Sequence, residues 1–350
     1  MSLSKTWTRS CPWFFNRRAT RGAVLLLGVI LLFTAGWFGW VFRYAKAPGP
    51  LADTAQTVYI PPRTSFRGIE KLLASSGVIR ADRRFFILAR LSSLTNRLKA
   101  GEYRFASGMT PKEVLRLLEK GDSVKHVVTL PEGANLFRIA GILAENNLLD
   151  PESFLQAAMD KTLLRELGVE ADSFEGYLFP DTYYLTRVQP PKEIIREMVE
   201  RGRAVLAALG EVEKNQLNLS FHQIITLASI VEKETALPGE RPLIARVFLN
   251  RLERGMRLQT DPTVIYGLEN FDGNLTRRDL KSASPYNTYL VRGLPPGPIA
   301  NPGKAAIEAV LYPAEGSYLY FVSKNDGSHH FSKSLKEHNR AVARYQKKQR

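Results

Sequence analysis

The sequence predicts an α+β protein held to a membrane by a single N-terminal transmembrane helix, with a small strand and helix module ahead of a larger mixed α+β domain. Three observations predict it. Residues 22–42 form an uncharged, mostly apolar run of 21 residues, enough to cross the roughly 30 Å of a bilayer's hydrocarbon as a helix. The remainder mixes period-two stretches with amphipathic period-3.6 stretches and is long enough for two domains. Residues 61–79 and 131–149 resemble one another at a constant offset of 70, the mark of a repeated unit.

Lys5, Arg9, Arg17, Arg18 and Arg21 come before the end of residue 21 with no acid among them. The positive-inside rule therefore keeps 1–21 in the cytoplasm as a basic segment, makes 22–42 a single-pass span and exports the rest. A cleaved signal peptide would end at Ala45-Lys46-Ala47, but the apolar run is longer than the core of about 7–15 residues of such signals, and Pro48 follows the site. Cys11, the only cysteine, falls on the cytoplasmic side, so hydrophobic burial rather than disulfides must support the exported fold. Residues 1–46 hold seven Lys and Arg and no acid, so of the net +15 the remainder keeps +8. A mildly basic body suits an anionic polymer or a membrane surface. No nucleic-acid motif accompanies it, and nucleic acid is disfavoured as a partner.

After a linker at 43–56, the small module takes residues 57–128. The repeat matches Pro61 with Pro131, Phe66 with Leu136 and Ile69 with Ile139, and Leu72, Leu73, Ala74, Val78 and Ile79 with Ile142, Leu143, Ala144, Leu148 and Leu149. Each copy reads as a strand ending in proline, a turn, and an amphipathic helix closing near Gly77 or Asn146. Between the copies, Gly101 to Phe105 alternates as a strand. Thr110 caps a helix that opens with Pro111 and stops at Gly121.

The larger domain takes 129–340, with a basic tail at 341–350. Helical patterns at 151–167 and 191–209 flank Phe174 to Tyr184, whose aromatic density reads either as a core corner or as a surface for sugar rings. Pro242 to Arg254 is a helix stopped by Gly255. The loop from Met256 to Gly267 presents polar groups, or Thr260 to Thr263 opens a short helix with Asp261 as N-cap and Pro262 at the first position. Ser284 to Tyr289 and Gly293 to Gly303 are too broken for regular structure and suit the rim of a cleft. Tyr318 to Val322 reads as a buried strand, with His329 to Phe331 its partner across the Asn325-Asp326-Gly327 turn.

The chemistry centres on one helix. Ser220 and Gln223 form a capping box before an apolar run, so the helix starts at Phe221. At about 100° per residue, Phe221, Ile224, Ile225, Ala228 and Val231 share a face, Glu232 projects among them and Lys233 points away. Desolvation there raises a carboxyl's pKa toward neutrality, as a general acid requires. The alternatives are a helix end already turned to solvent, or a carboxylate paired with an arginine. Glu234, beside the Leu227 and Ile230 edge, is the weaker candidate and is expected in a structural ion pair. The five histidines show no ligand spacing, and no phosphate loop or nucleophile motif occurs, so neither metal nor cofactor is expected.

The run Leu227 to Thr235 (LASIVEKET), with Arg257 to Tyr266 (RLQTDPTVIY), Tyr286 to Tyr289, Gly293 to Ile299, Phe174 to Tyr177 and Pro180 to Tyr183, resembles the endolytic murein transglycosylase family, also called MltG or YceG-like. The likeness reaches from the anchor to about Asn339. It implies an enzyme of the cytoplasmic (inner) membrane that cuts nascent peptidoglycan strands internally, at the bond between N-acetylmuramic acid and N-acetylglucosamine, leaving a 1,6-anhydro end. It also implies that 57–128 is a LysM-like glycan-binding module, that 129–340 is the catalytic domain and that Glu232 is the catalytic residue. Glu232 then acts first as acid and next as base toward the muramoyl 6-hydroxyl. Glycan strands and the membrane are the partners, with peptidoglycan synthases as candidates. Gln259, Asp261, Asn287, Tyr289 and Glu175 are expected to bind substrate. Two other readings remain: a hydrolytic muramidase, which needs a second group such as Asp261, Glu175 or Asp181, and an anchored glycan-binding scaffold.

Overall fold

The computed structural model describes residues 17–51, 54–210 and 218–346. Cys11, most of the basic segment 1–21 and residues 347–350 of the basic tail lie outside the described residues. The chain divides into two compact units, Met1–Val124 and Lys125–Arg350.

In the first unit, α1 (Arg17–Lys46) is a 30-residue helix, and from Arg21 to Lys46 it is long and apolar enough to cross a membrane. Leu25, Leu31, Leu32 and Phe33 are exposed along it. The helix runs on to Lys46, into the stretch expected as linker, and Val41, Tyr44 and Ala45 of its last turns are buried in the core of the unit. Then follow β1 (Gln56–Ile60), α2 (Phe66–Ser75), α3 (Arg84–Leu91), β2 (Gly101–Phe105) and α4 (Pro111–Lys120). β1 and β2 pair antiparallel with Val58 opposite Tyr103. Alternate residues Val58, Ile60, Tyr103 and Phe105 face inward and share one core with Leu73, Val114 and Leu118. Thr110 and Glu113 form the capping box of α4, and Gly121, at φ 74°, ends it in the left-handed region.

The second unit opens by repeating that order with one helix, α7 (Lys161–Glu166), added. β3 (His126–Thr129), α5 (Leu136–Glu145), α6 (Pro151–Ala158), α7 (Lys161–Glu166), β4 (Thr182–Leu185) and α8 (Pro191–Ala207) follow one another, and β3 pairs antiparallel with β4. The offset of 70 holds residue by residue at α2 and α5. Their N-caps, Ser65 and Asn135, accept from the N–H groups of Gly68 and Arg138. Each helix is followed by a left-handed residue, Gly77 (φ 71°) or Asn147 (φ 53°). The second closure is thus one residue beyond Asn146. The repetition also outlasts the sequence match, because α4 and α8 both begin Pro-Lys-Glu after strands β2 and β4. Phe174 and Leu178 are fully buried and the Tyr183 hydroxyl donates to the Phe179 carbonyl, so this aromatic stretch is a core corner.

The last third holds α9 (Phe221–Glu234), α10 (Arg241–Glu253), α11 (Asp261–Tyr266), α12 (Lys304–Leu311), β5 (Tyr320–Ser323), β6 (His329–Ser332) and α13 (Leu335–Tyr345). α9 starts at Phe221 behind the Ser220 and Gln223 capping box. Every residue from Ile224 to Val231 is buried, because α9 runs through a core shared with α10 and α12. Its two polar residues there are satisfied internally: Thr226 donates to the His222 carbonyl and Ser229 to the Thr226 carbonyl. The Ser229 hydroxyl also accepts from the Ile299 N–H at 3.0 Å, which pins the proline-rich rim to the central helix. At α11, Thr260 rather than Asp261 occupies the N-cap position, and Asp261 and Pro262 are the first two helical residues. β5 and β6 pair antiparallel with Phe321 opposite Phe331.

Candidate active site

Glu232 and Glu234 occupy the last turn of α9, two residues and so about 200° apart around the helix. Glu232 points toward the turn at 132–133 and the start of α12. Its Oε1 accepts from Arg241 Nη2 at 2.9 Å and its Oε2 from the Gly303 N–H at 3.0 Å. The two side chains are only 6% and 10% exposed. Charge-assisted bonds on both oxygens hold the carboxyl in one orientation, so the arginine-paired arrangement is the one this helix adopts. Glu132 stands 3.7 Å from the same guanidinium. Its pKa is raised by burial and by the Glu232 charge, against the pull of Arg241.

Glu234 faces the other way, into a cleft of about 460 Å³ that is also lined by Arg251, Gln259, Asp261, Tyr289, Tyr320 and His329. The Thr260 hydroxyl donates to its Oε1. Burial raises the Glu234 pKa above the ordinary glutamate value; the Thr260 bond opposes this and the nearby Asp261 charge adds to it. Among the described residues no cation lies within ion-pair distance of Glu234. Glu232 therefore sits in an ion pair with Arg241, and Glu234, expected in a structural ion pair, is instead a carboxyl of raised pKa beside open space.

The cleft floor is built from two loops. Gln259 sits in the left-handed region at φ 50°, uncommon for a residue with a side chain, and its N–H donates to the Thr288 carbonyl at 3.2 Å. The Thr288 hydroxyl accepts from the Thr260 N–H at 3.1 Å and meets the Thr263 hydroxyl at 2.8 Å. Free of the capping position, Asp261 accepts from the Tyr289 hydroxyl at 2.6 Å. Gln259, Asp261 and Tyr289 thus come together around Glu234.

Asn287 and Glu175 do not join them. Asn287 is fully buried; its amide donates to the carbonyls of Leu280 and Ser282 and its oxygen accepts from the Tyr289 N–H. It shapes the turn that presents Tyr289. Glu175 is 2% exposed and accepts from the Leu136 N–H, the Tyr266 hydroxyl and the Asn301 amide, each at 3.2 Å. It borders a separate hollow of about 480 Å³ with His222 and Tyr286. Asp181 is tied to Arg201 in an ion pair.

Four contributors escaped the sequence reading: Thr260, Arg251, Tyr320 and His329. The buried Arg251 guanidinium donates to the carbonyls of Leu258 and Leu319, both at 2.7 Å, joining the loop after α10 to the segment entering β5. His329 Nδ1 lies 2.6 Å from Glu240 Oε2, and its N–H donates to Oε1 at 2.7 Å. Thr260 stood inside the quoted TDPT run, but nothing in the sequence aims its hydroxyl at Glu234.

Burial pushes the Glu175 pKa up to about 7 in spite of its three donors. The folded state then keeps a proton that the unfolded state releases nearer the ordinary value of 4.5. Stability should fall as pH rises between those values and stay reduced above them, by about 3 kcal/mol. Glu175→Gln is expected to flatten this dependence. Urea unfolding of both proteins near pH 5 and near pH 8 measures it, and equal slopes would contradict the assignment.

A family model described as the YceG-like family matches residues 58–344. A Bacillus subtilis protein named endolytic murein transglycosylase is 34% identical over 328 residues, covering 88% of this chain and 90% of that one. A Streptococcus pneumoniae protein of the same name is 30% identical, covering 91% of this chain and 64% of its own length. Among solved structures, a yceG-like protein from Listeria monocytogenes superposes with a TM-score of 0.57 at 35% identity, over 83% of this chain and 99% of that chain.

Proposed function

Because the chain belongs to the YceG-like family, we propose that it is a membrane-anchored lytic transglycosylase that cuts peptidoglycan glycan strands internally. The relatives' shared name gives the reaction class and the murein substrate. The apolar helix α1 supports the anchor; in this reading the N-terminus stays in the cytoplasm and the second unit works outside the inner membrane. The strand, helix, helix, strand order of the first unit supports reading 57–128 as a LysM-like glycan-binding module.

The observation that carries the chemistry is Glu234, a half-buried residue whose carboxyl has a raised pKa beside a cleft of about 460 Å³, within the size range of small-ligand sites. Tyr289, Tyr320 and Phe321 line it and offer rings to the apolar faces of pyranoses. In the proposed reaction, protonated Glu234 gives its proton to the oxygen linking N-acetylmuramic acid to N-acetylglucosamine. The bond from that oxygen to the muramoyl C1 breaks through an oxocarbenium-like state. The carboxylate formed then takes the proton of the 6-hydroxyl on the same sugar as O6 bonds to C1, closing the 1,6-anhydro ring and consuming no water. Thr260 holds one carboxyl oxygen of Glu234, leaving the other for both transfers. Gln259, Asp261 and Tyr289 hydrogen-bond the sugars.

Two other readings each have an observation behind them. Resemblance to the family points to Glu232, which is buried beside a second carboxyl, Glu132. Asp261 shares the cleft with Glu234, as a hydrolase's second carboxylate would. Mass spectrometry of fragments released from uncrosslinked glycan decides the reaction: anhydro ends are expected, and products one water heavier would establish hydrolysis.

A further inference from the structure

Where α1 leaves the apolar stretch, its last turns, the segment at 47–50 and the approach to α3 enclose a cleft of about 430 Å³ inside the first unit. Arg43, Arg80 and Arg84 line it with Trp40 and Tyr44. The Arg84 guanidinium lies 4.6 Å from the Tyr44 ring centre and 5.4 Å from that of Trp40, and Asp82 holds it with a closest contact of 2.6 Å. Arg43 and Arg80 are exposed and form no ion pair among the described residues. Tyr44 is 5% exposed, and its hydroxyl is buried without a hydrogen-bond partner.

A buried hydroxyl left unpaired is destabilising, and a polar, roomy site next to it invites a ligand atom that accepts its hydrogen bond. Three guanidinium groups against two nearby carboxylates, Asp82 and Glu70, favour an anion, and arginine matches phosphate geometry in a bidentate manner. A tryptophan, a tyrosine and basic residues at the end of a membrane helix lie at headgroup depth. We propose that this cleft binds the phosphoryl headgroup of an anionic membrane lipid, with the Tyr44 hydroxyl donating to a phosphate oxygen and Arg43 and Arg80 neutralising its charge. This rests on reading α1 as the membrane anchor. The same chemistry serves a glycerophospholipid and a polyprenyl pyrophosphate alike.

The test is native mass spectrometry of the full chain purified from mixed membranes, after separate flotation and carbonate extraction show whether it inserts. Failure to insert removes the anchor reading; the headgroup proposal is judged on inserted protein. Expected is retention of phosphatidylglycerol or polyprenyl pyrophosphate over phosphatidylcholine, with whichever anionic lipid is held more tightly identifying the source. Tyr44→Phe and Arg80→Gln are each expected to lower retention by about tenfold. Tyr44→Phe should melt no lower than wild type without lipid, since it removes only an unpaired hydroxyl. Equal retention of phosphatidylcholine, retention unchanged in the Tyr44→Phe/Arg80→Gln double variant, or displacement of the lipid by inorganic phosphate alone would overturn the proposal.

Discussion

Glu234→Gln is expected to lower the rate of glycan cleavage by about 10²- to 10⁴-fold, the range removed with a general acid or base, while the protein stays folded. The glutamine amide keeps an oxygen for the Thr260 hydroxyl, which donates to Oε1 in the native cleft, but it has no proton to give to the leaving oxygen. Because burial raises the Glu234 pKa and the acid form is the active one, wild-type activity should decline as pH rises through that pKa. Turnover on uncrosslinked strands, with melting temperature measured on the same samples, checks this. A folded Glu234→Gln protein that cuts at the wild-type rate would end the assignment.

Glu232→Gln should act on stability instead, by about 3 kcal/mol, the low end of the loss when one partner of a buried ion pair is removed. The change leaves the Arg241 guanidinium, 10% exposed, facing a neutral amide. Glu132, 3.7 Å away, offsets part of that loss and keeps it from the upper end. Chemical denaturation measures the effect, and an apolar double replacement such as Glu232→Leu/Arg241→Met should recover much of it. Should Glu232→Gln prove as stable as wild type yet inactive, the acid would be Glu232 after all.

These two glutamates show where the sequence was legible and where it was not. The capping box and the register of α9 were readable because they depend on neighbours three and four residues apart. The choice between Glu232 and Glu234 was not, since a projection assumes one buried face and one wet one. α9 is buried all round from Ile224 to Val231, so the apolar stripe marks neither side as the functional one. Arg241, which claims Glu232, follows nine positions later on the next helix, a separation that no helical period reports. The same limit explains Asn287 and Glu175, whose partners Leu280, Leu136 and Asn301 come from loops and helices elsewhere in the fold. Gln259, Asp261 and Tyr289 were found because their run is distinctive, although only the fold brings 259–261 against 289. The repeat was legible at α2 and α5, where apolar spacing is conserved between the copies. It faded at α3 and α6, where α7 follows in one copy only.

Thr288, at the base of the cleft, links the loop at 259–263 to the one at 287–289 through its carbonyl and its hydroxyl. In the language of hydrogen exchange, the Thr260 amide belongs with the slow core although it lies between helices, since releasing it means opening a buried knot of three threonine hydroxyl and carbonyl groups. The outer wall of the cleft, where Tyr320 and His329 of the β5 and β6 hairpin are only half-buried, lacks that anchoring, so its amides should exchange faster than those of the floor that aims Asp261 and Tyr289.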